Sequence, residues 1–269
     1  MAIESPTQRL TPPVNRNWLI AGVLVTVTAL LIGGTYLVFT LFNSGPSTDE
    51  KQHETYQHAI TRIEFDVDSG DIELAAGDSG QVVVDRALRW RKTKPVLDAQ
   101  LDGDTLRLSS RCPEQKNCTV NYLVRVPAGV AVRAHTVDGA VWVRDVKGEL
   151  DLQNQSGDIT VQNSTGPVRI KGESGNVTGS GLNSTAVDVA TTDGNVALTF
   201  TVAPTTARVV LDAGSIKIAV PRAGSGADGY RIEASTTDGQ RRVDVDQDSA
   251  GKHSIHAELV DGDVTVNYA

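Results

Sequence analysis

The sequence has 269 residues and a formal net charge of −8, from 33 acidic and 25 basic residues. Only 4% of the residues are aromatic, which argues against a sugar-binding enzyme cleft or a single-strand nucleic-acid platform, because both normally use stacking rings. The acidic balance argues against general DNA or RNA binding, and the 39% of hydrophobic residues argues against intrinsic disorder.

The first predicted element is a membrane-spanning α-helix over residues 18–42, which would anchor the protein in the lipid bilayer. The stretch contains no charged residue, and at about 1.5 Å per residue it can cross a hydrocarbon core of about 30 Å. Trp18 at one end and Tyr36, Phe39 and Phe42 towards the other suit the interfacial belts. A cleaved secretory signal is the alternative, but its apolar region is usually only about 7–15 residues long.

The flanking charges predict the orientation of this helix. Basic residues precede it, whereas Asp49 and Glu50 follow it, so the positive-inside bias makes residues 1–17 a cytoplasmic tail. Residues 43–58 are polar and lack strand periodicity, which predicts a linker. We therefore expect a single-pass protein of the cytoplasmic (plasma) membrane, with its N-terminus inside and its C-terminal domain outside.

Residues 59–127 contain strand-like segments at uneven spacing, which predicts an irregular β region that caps a regular stack. Within it, Cys112 and Cys118 bracket a short loop. In an exported domain this pair favours a disulfide. The alternative is a redox or metal pair, but redox motifs usually have about two intervening residues, and a zinc site needs further ligands.

Residues 128–269 carry a short repeat that predicts a β-solenoid, or β-helix. Glycines recur every nine residues from Gly139 to Gly175, and each is followed by apolar and polar residues in alternation, which is typical of a strand with one buried face. Glycine in the Ser-Gly and Asp-Gly pairs supplies the turns. A fixed short period indicates strands stacked on equivalent neighbours. An antiparallel β-sandwich or meander is the alternative, because the same spacing suits a hairpin strand with its turn.

These features resemble the bacterial putative-adhesin family of β-strand-repeat proteins. The resemblance is carried by recurring Ser/Asp-Gly-Asp/Asn-Val/Ile-x-Val/Leu units, such as residues 69–74, and by the turn at residues 126–130. The loop that begins at Cys112 is also similar to that of actinobacterial members. The resemblance covers about residues 60–269 and implies an all-β ectodomain at the cell envelope, a β-solenoid without catalytic residues.

Metal sites find little support in the sequence. Residues 244–248 begin like an EF-hand loop, but Ser249 stands where glycine is required and Ile255 where glutamate is required. His253 and His256 lie three residues apart in a predicted strand and so point to opposite faces. We therefore expect no metal and no cofactor.

The predicted strand around Trp90 carries the strongest surface signal. Five basic residues cluster there in an otherwise acidic protein: Arg86, Arg89, Arg91, Lys92 and Lys94. Charge attraction predicts contact with an anionic envelope polymer or with lipid head groups. The alternative is a solvated edge strand, on which lysine and arginine block unwanted pairing.

The sequence as a whole favours a non-catalytic, membrane-anchored envelope protein with an adhesive or scaffolding role. Its expected partners are an envelope polymer, a membrane partner protein or another copy of itself, and no nucleic acid. An accessory sensor of an envelope-stress system is the first alternative, although the short tail of residues 1–17 has no output domain. A carbohydrate-active β-helix enzyme is less favoured, because no nucleophile elbow, phosphate loop or dinucleotide fingerprint occurs.

Overall fold

Stacked β-strands make up almost all of the part of the chain that the computed structural model describes, which comprises residues 46–78, 80–113, 117–223 and 226–269. Residues 47–269 form one compact unit. The tail and the membrane helix predicted over residues 1–42 lie outside the described residues. No helix within the described ranges has the length and apolar character needed to span a membrane.

The described residues form 18 strands and a short 3-10 helix at Gly226–Asp228. In chain order the strands are β1 (Thr48–Tyr56), β2 (Arg62–Ser69), β3 (Ile72–Ala76), β4 (Val82–Trp90), β5 (Val96–Asp102), β6 (Thr105–Arg111), β7 (Cys118–Val126), β8 (Ala131–Asp138), β9 (Val141–Arg144), β10 (Leu150–Ser156), β11 (Ile159–Gln162), β12 (Val168–Ser174), β13 (Val177–Leu182), β14 (Ala186–Phe200), β15 (Thr206–Val220), β16 (Tyr230–Asp238), β17 (Arg241–Asp244) and β18 (His253–Tyr268).

Most strands pair in parallel and in register, which confirms the predicted β-solenoid and excludes the antiparallel meander. β8, β10, β12 and the first half of β14 form one parallel ladder, while β9, β11, β13 and the second half of β14 form another. Leu150 lies beside Val168, 18 residues further along the chain, so the glycine spacing seen in the sequence is half a coil. The inward residues of both ladders pack into one core, dominated by valine, isoleucine and leucine.

Close stacking at one corner of the coils requires glycine. Gly157 has a φ of +129°, and a Cβ there would lie 2.3 Å from the carbonyl oxygen of Gly139 in the neighbouring coil. Real Cβ atoms do not come this close to an oxygen, so the coils can approach only where this side chain is missing. Equivalent glycines form a column along the stack, in the order Gly70, Gly139, Gly157, Gly175, Gly194, Gly214, Gly262 and Gly239.

A column of alternating charge crosses the outer face of the ladder that contains β8, β10 and β12. In-register neighbours alternate in sign along it, in the order Arg107, Glu64, Arg133, Asp151, Arg169, Asp188 and Arg208. Neighbours in the column make ion pairs, such as Arg107 with Glu64 at 3.0 Å and Arg133 with Asp151 at 3.4 Å. If two adjacent coils exchanged places, like charges would become neighbours, so this column favours the observed order of coils.

The order of coils along the stack differs from the order along the chain at both ends. β6 and β7 pair outside the coil of β2 and β3, and β5, β4 and β1 add antiparallel strands at that end. At the other end, β16 and β17 pair with β18, which itself pairs with β15 on its other side. The last strand of the chain therefore lies inside the stack.

Residues 48–56 correct the predicted linker of residues 43–58. They form β1, which pairs antiparallel with β4 from Thr48 opposite Trp90 to Tyr56 opposite Val82. The inward positions of β1 are Glu50, Gln52, Glu54 and Tyr56 rather than aliphatic residues, so no apolar alternation marks the strand in the sequence.

Residues 59–127, predicted as an irregular cap, have two parts. β2 and β3 pair in parallel with β8 and β9 and so continue the regular stack, whereas β4 and β5 make the antiparallel pairings. Cys112 and Cys118 form the predicted disulfide. Both cysteines are buried, and they join the end of β6 to the start of β7.

The substitution Gly157→Ala should destabilise the solenoid strongly. It combines backbone strain of about 1–3 kcal/mol with an overpacked contact of about 1–3 kcal/mol, so the free energy of unfolding should fall by about 2–6 kcal/mol. Gly103→Ala is the matched control, because Gly103 also has a positive φ, +61°, but no atom lies within 4 Å of its added Cβ. Urea denaturation followed by circular dichroism measures both, and equal losses would contradict the role of the column.

Removing the disulfide with Cys112→Ser and Cys118→Ser together should lower the free energy of unfolding by about 2 kcal/mol, the value that the chain-entropy model gives for so short a loop. The measurement is urea denaturation of the variant and the wild type, each with and without dithiothreitol. Under reducing conditions the two proteins should unfold at nearly the same urea concentration. A gap that persists in dithiothreitol would mean that the serines themselves disturb the buried site.

Candidate binding groove

A groove with a volume of about 570 Å³ lies on the outer face of the ladder formed by β1, β4, β7, β3 and β9. This volume falls within the range of about 300–1,000 Å³ that is usual for ligand sites. The outward residues that line the groove are Lys51, His53, Asp71, Glu73, Asp85, Ala87, Asn121, Leu123 and Trp142. Asp71 lies in the turn before β3, and the other lining residues stand on strands of the stack.

One row of side chains crosses the groove from strand to strand. His53 lies opposite Asp85, which lies opposite Leu123, and Leu123 is followed in turn by Glu73 and Trp142. Adjacent strands are about 4.8 Å apart. Trp142 closes one end of the row with 41% of its surface exposed, which leaves a large aromatic face available to a ligand.

The charges in the groove are only partly compensated. Asp85 contacts an imidazole and a guanidinium: its Oδ1 lies 2.6 Å from His53 Nδ1, and its Oδ2 lies 3.5 Å from Arg125 Nη1. Lys51 and Glu73, in contrast, have no ion-pair partner among the residues that the structure describes. The groove therefore carries an unbalanced positive charge on β1 and an unbalanced negative charge on β3.

A buried guanidinium lies on the opposite, inward face of β4. The Arg86 side chain is 3% exposed, and its Nη1 lies 2.9 Å from Glu54 Oε1. Its Cζ is 5.7 Å from the centre of the Tyr122 ring, and that ring packs edge-on against Phe65 at 5.8 Å. This cluster connects β1, β4 and β7 on the core side of the sheet, so it fixes the relative positions of three strands that form the groove.

The ion pair between Arg86 and Glu54 holds both groups in their charged forms. Burial raises the pKa of Glu54, but the hydrogen bonds from Tyr56 and Arg86 outweigh burial and place that pKa below its ordinary value. Burial likewise lowers the pKa of Arg86, and the hydrogen bond and charge of Glu54 more than reverse the effect. Burial also raises the pKa of Tyr122.

The structure separates the basic cluster that the sequence predicted as a polyanion contact. Arg86 is buried against Glu54, so it is not part of a surface site, which corrects the prediction for this residue. Arg86 occupies a regular inward position of β4, where the other inward residues are apolar, and Glu54 supplies its charged partner.

The other four basic residues of the cluster are exposed. Arg89 Nε lies 2.7 Å from Asp49 Oδ1, and Lys94 Nζ lies 2.6 Å from Glu50 Oε2 and over the ring of Trp90. β1 thus sets acidic residues beside two of these cations. Arg91 and Lys92 lie in the bend after β4, and a polyanion contact through the exposed residues stays a prediction.

The aspartates of the turns take part in a hydrogen-bonded ladder. Asp158 Oδ1 accepts a hydrogen bond from the backbone N–H of Asn176 at 2.8 Å, and Asn176 Oδ1 accepts one from the backbone N–H of Asn195 at 3.1 Å. Within the described parts of the chain, no three His, Cys, Asp or Glu residues are grouped so that they could hold a metal ion. These turn side chains therefore link one coil to the next.

Sequence reasoning missed this groove, although one signal for it was present. In the segment Val141-Trp142-Val143 the alternation that buries both valines places the tryptophan outside. β1, which forms the far wall, gave no signal, because its inward side chains are polar.

Glu54→Gln should destabilise the protein at neutral pH by about 1–2 kcal/mol. This is less than the about 3–5 kcal/mol for a fully buried pair, because Glu54 is 42% exposed and solvent screens its charge. Since the pKa of Glu54 is held below 4.5, its stabilising effect is full above that pH and is lost as the pH falls through the lowered pKa. Urea denaturation at about pH 7 and about pH 3 tests this.

Asp49→Asn serves as the control for this experiment, because Asp49 pairs with Arg89 at an exposed position and should matter by less than about 1 kcal/mol. A loss for Glu54→Gln that is equally large at both pH values would contradict the proposed role of the carboxylate.

Several solved structures are similar to this chain at low identity. A putative cell adhesion protein from Clostridium sporogenes is 10% identical, with a TM-score of 0.39, over 82% of this chain and 100% of that one. A putative adhesin from Bacteroides fragilis is 15% identical, with a TM-score of 0.37, over 82% of this chain and 97% of that one. A putative lipid binding protein from Parabacteroides distasonis is 11% identical, with a TM-score of 0.37, over 84% and 98%. These identities and TM-scores are too low for a ligand of this chain to be inferred from those proteins.

No curated protein matches the sequence. The family described as Toastrack DUF4097, in contrast, matches residues 60–269. This range is the one over which the sequence resembles the putative-adhesin family, and it begins just before β2 and contains the whole parallel stack. The chain therefore belongs to the Toastrack DUF4097 family.

Proposed function

We propose that this protein is a non-catalytic adhesion or scaffolding protein of the bacterial cell envelope, and that it holds its partner in the groove. The observation that carries the proposal is the exposed face of Trp142 at one end of the groove, which has a volume of about 570 Å³. Large aromatic side chains at such positions are frequent anchors of binding sites.

The way in which the groove is built supports a binding role. Its side chains stand on strands that are held in register by the glycine column and, from below, by the pair of Arg86 and Glu54. A surface fixed in this way loses little conformational freedom when a ligand binds. The lining of the groove includes His53 and Asp85 but no serine, threonine or cysteine, so this pair has no neighbouring nucleophile of that kind to activate.

The membrane anchor remains part of the proposal. The uncharged apolar stretch of residues 18–42 has the length and composition of a membrane-spanning helix. β1 begins at Thr48, so the chain offers only residues 43–47 as a connection between such a helix and the first strand. A protein tethered in this way would present its stack at the outer surface of the cytoplasmic membrane.

Trp142→Ala should weaken the binding of the full-length protein to isolated cell-wall fragments by at least about tenfold, as expected for an aromatic anchor. The measurement is co-sedimentation of the detergent-solubilised protein with the fragments over a range of concentrations. Val260→Ala is the control, because Val260 is an apolar residue that is 51% exposed and lies outside the groove. Wild-type binding by the Trp142 variant would refute the assignment of the groove.

A further inference from the structure

We propose that the groove selects a zwitterionic ligand, a short peptide whose free amino group meets Glu73 and Trp142 and whose carboxylate meets Lys51. This inference rests on the proposed function, because it names the ligand class of the same groove. It follows from where the structure leaves charges uncompensated, from the apolar surface between them and from the distance that separates them.

The cationic end of the ligand is assigned to the wall formed by β3 and β9. Glu73 is exposed and lies directly opposite Trp142 in the parallel pair, and it has no ion-pair partner within the described chain. A carboxylate accepts strong hydrogen bonds from an ammonium group, and the face of an indole ring attracts the same charge. The Asp71 carboxylate accepts a hydrogen bond from the backbone N–H of Ala140 at 2.9 Å, and it adds negative charge on this side of the groove.

The anionic end is assigned to β1. Lys51 is exposed there, opposite Ala87 of β4. The guanidinium of Arg125 near the groove is engaged, since it faces Asp85, and the His53 ring contacts the same carboxylate. The ammonium group of Lys51 is therefore the cation of the groove that is left to meet a carboxylate.

A partly apolar floor separates the two charged ends. Ala87 and Leu123 point outward between the walls, and Leu123 lies opposite Glu73. Asp85 and Asn121 are their polar neighbours on the same two strands. Small apolar groups of a peptide can lie on Ala87 and Leu123 without leaving a polar atom unpaired. A fully charged polymer would have to desolvate charges there, so the floor favours a ligand whose charges are confined to its ends.

The separation of the two charges fits about three peptide residues. Lys51 and Glu73 are three strand spacings apart and offset by two residues along the strands, which corresponds to about 16 Å. This is the separation of the two backbone positions, and the flexible stem of Lys51 lets its ammonium group adjust to the ligand. An extended tripeptide spans about 10 Å, and a hydrogen bond of about 3 Å at each end completes the span.

Isothermal titration calorimetry tests this inference, with alanine peptides titrated into the full-length protein in detergent. Trialanine should bind, and either N-acetyl-trialanine or trialanine amide should bind at least about tenfold more weakly, because each has lost one charged hydrogen bond. Dialanine should also bind more weakly, because it is too short to reach both charges at once.

Two groove variants separate the ends of the ligand. Glu73→Gln should weaken trialanine binding and leave the binding of N-acetyl-trialanine unchanged, whereas Lys51→Met should leave that of trialanine amide unchanged. Glu149→Gln and Lys147→Met are the controls, because both residues are exposed and lie outside this groove, and both should bind trialanine as the wild type does.

Equal affinity for trialanine and its two blocked forms would overturn the zwitterion assignment, and so would trialanine binding that neither groove variant changes. If trialanine fails to bind while Trp142→Ala still reduces sedimentation with wall fragments, the zwitterion assignment falls and the proposed function stands. If trialanine fails to bind and Trp142→Ala changes nothing, both fall.

Discussion

The rest of the structure depends on the close, in-register approach of successive coils at the glycine column. A Cβ on Gly157 would lie 2.3 Å from the oxygen of Gly139, and on Gly214 a Cβ would lie 1.7 Å from the oxygen of Gly194. This backbone contact sets the corner of the coils from Gly70 to Gly239. Once the corners are aligned, the valine, isoleucine and leucine side chains of neighbouring strands stack in rows and fill the core. The low aromatic content follows, because thin coils leave little room for large rings.

Alignment at the corners leaves the outer faces free to vary. On one ladder the outward positions carry the column of alternating charge, which includes Arg169 and Asp188 at 3.9 Å. On the other ladder the outward positions of β3, β7 and β9 include Glu73, Leu123 and Trp142, which form the groove. The same repeat therefore supplies a stack with a defined order on one side and a binding surface on the other. The fixed spacing of strands also fixes the distances between the groups that a ligand meets.

The groove depends on pairings that cross large distances in the sequence. β1 reaches β4 through an antiparallel pair, and the buried contact of Glu54 with Arg86 holds that pair from inside. That contact also explains why the basic cluster around Trp90 is not a single basic surface. One of its cations is used in the interior, and Asp49 and Glu50 on β1 face two others.

The sequence by itself determined the all-β class and the glycine turns, and it favoured a solenoid over a meander and a disulfide between Cys112 and Cys118. It could do so because short-range alternation and a regular glycine spacing are local properties of the chain. It did not reveal β1, whose inward residues are polar, or the insertion of β18 between β15 and β16. Nor did it bring His53, Glu73 and Trp142 together. Only the tertiary structure decided these features, because they depend on which distant strands become neighbours, and alternation within one strand carries no information about its partner.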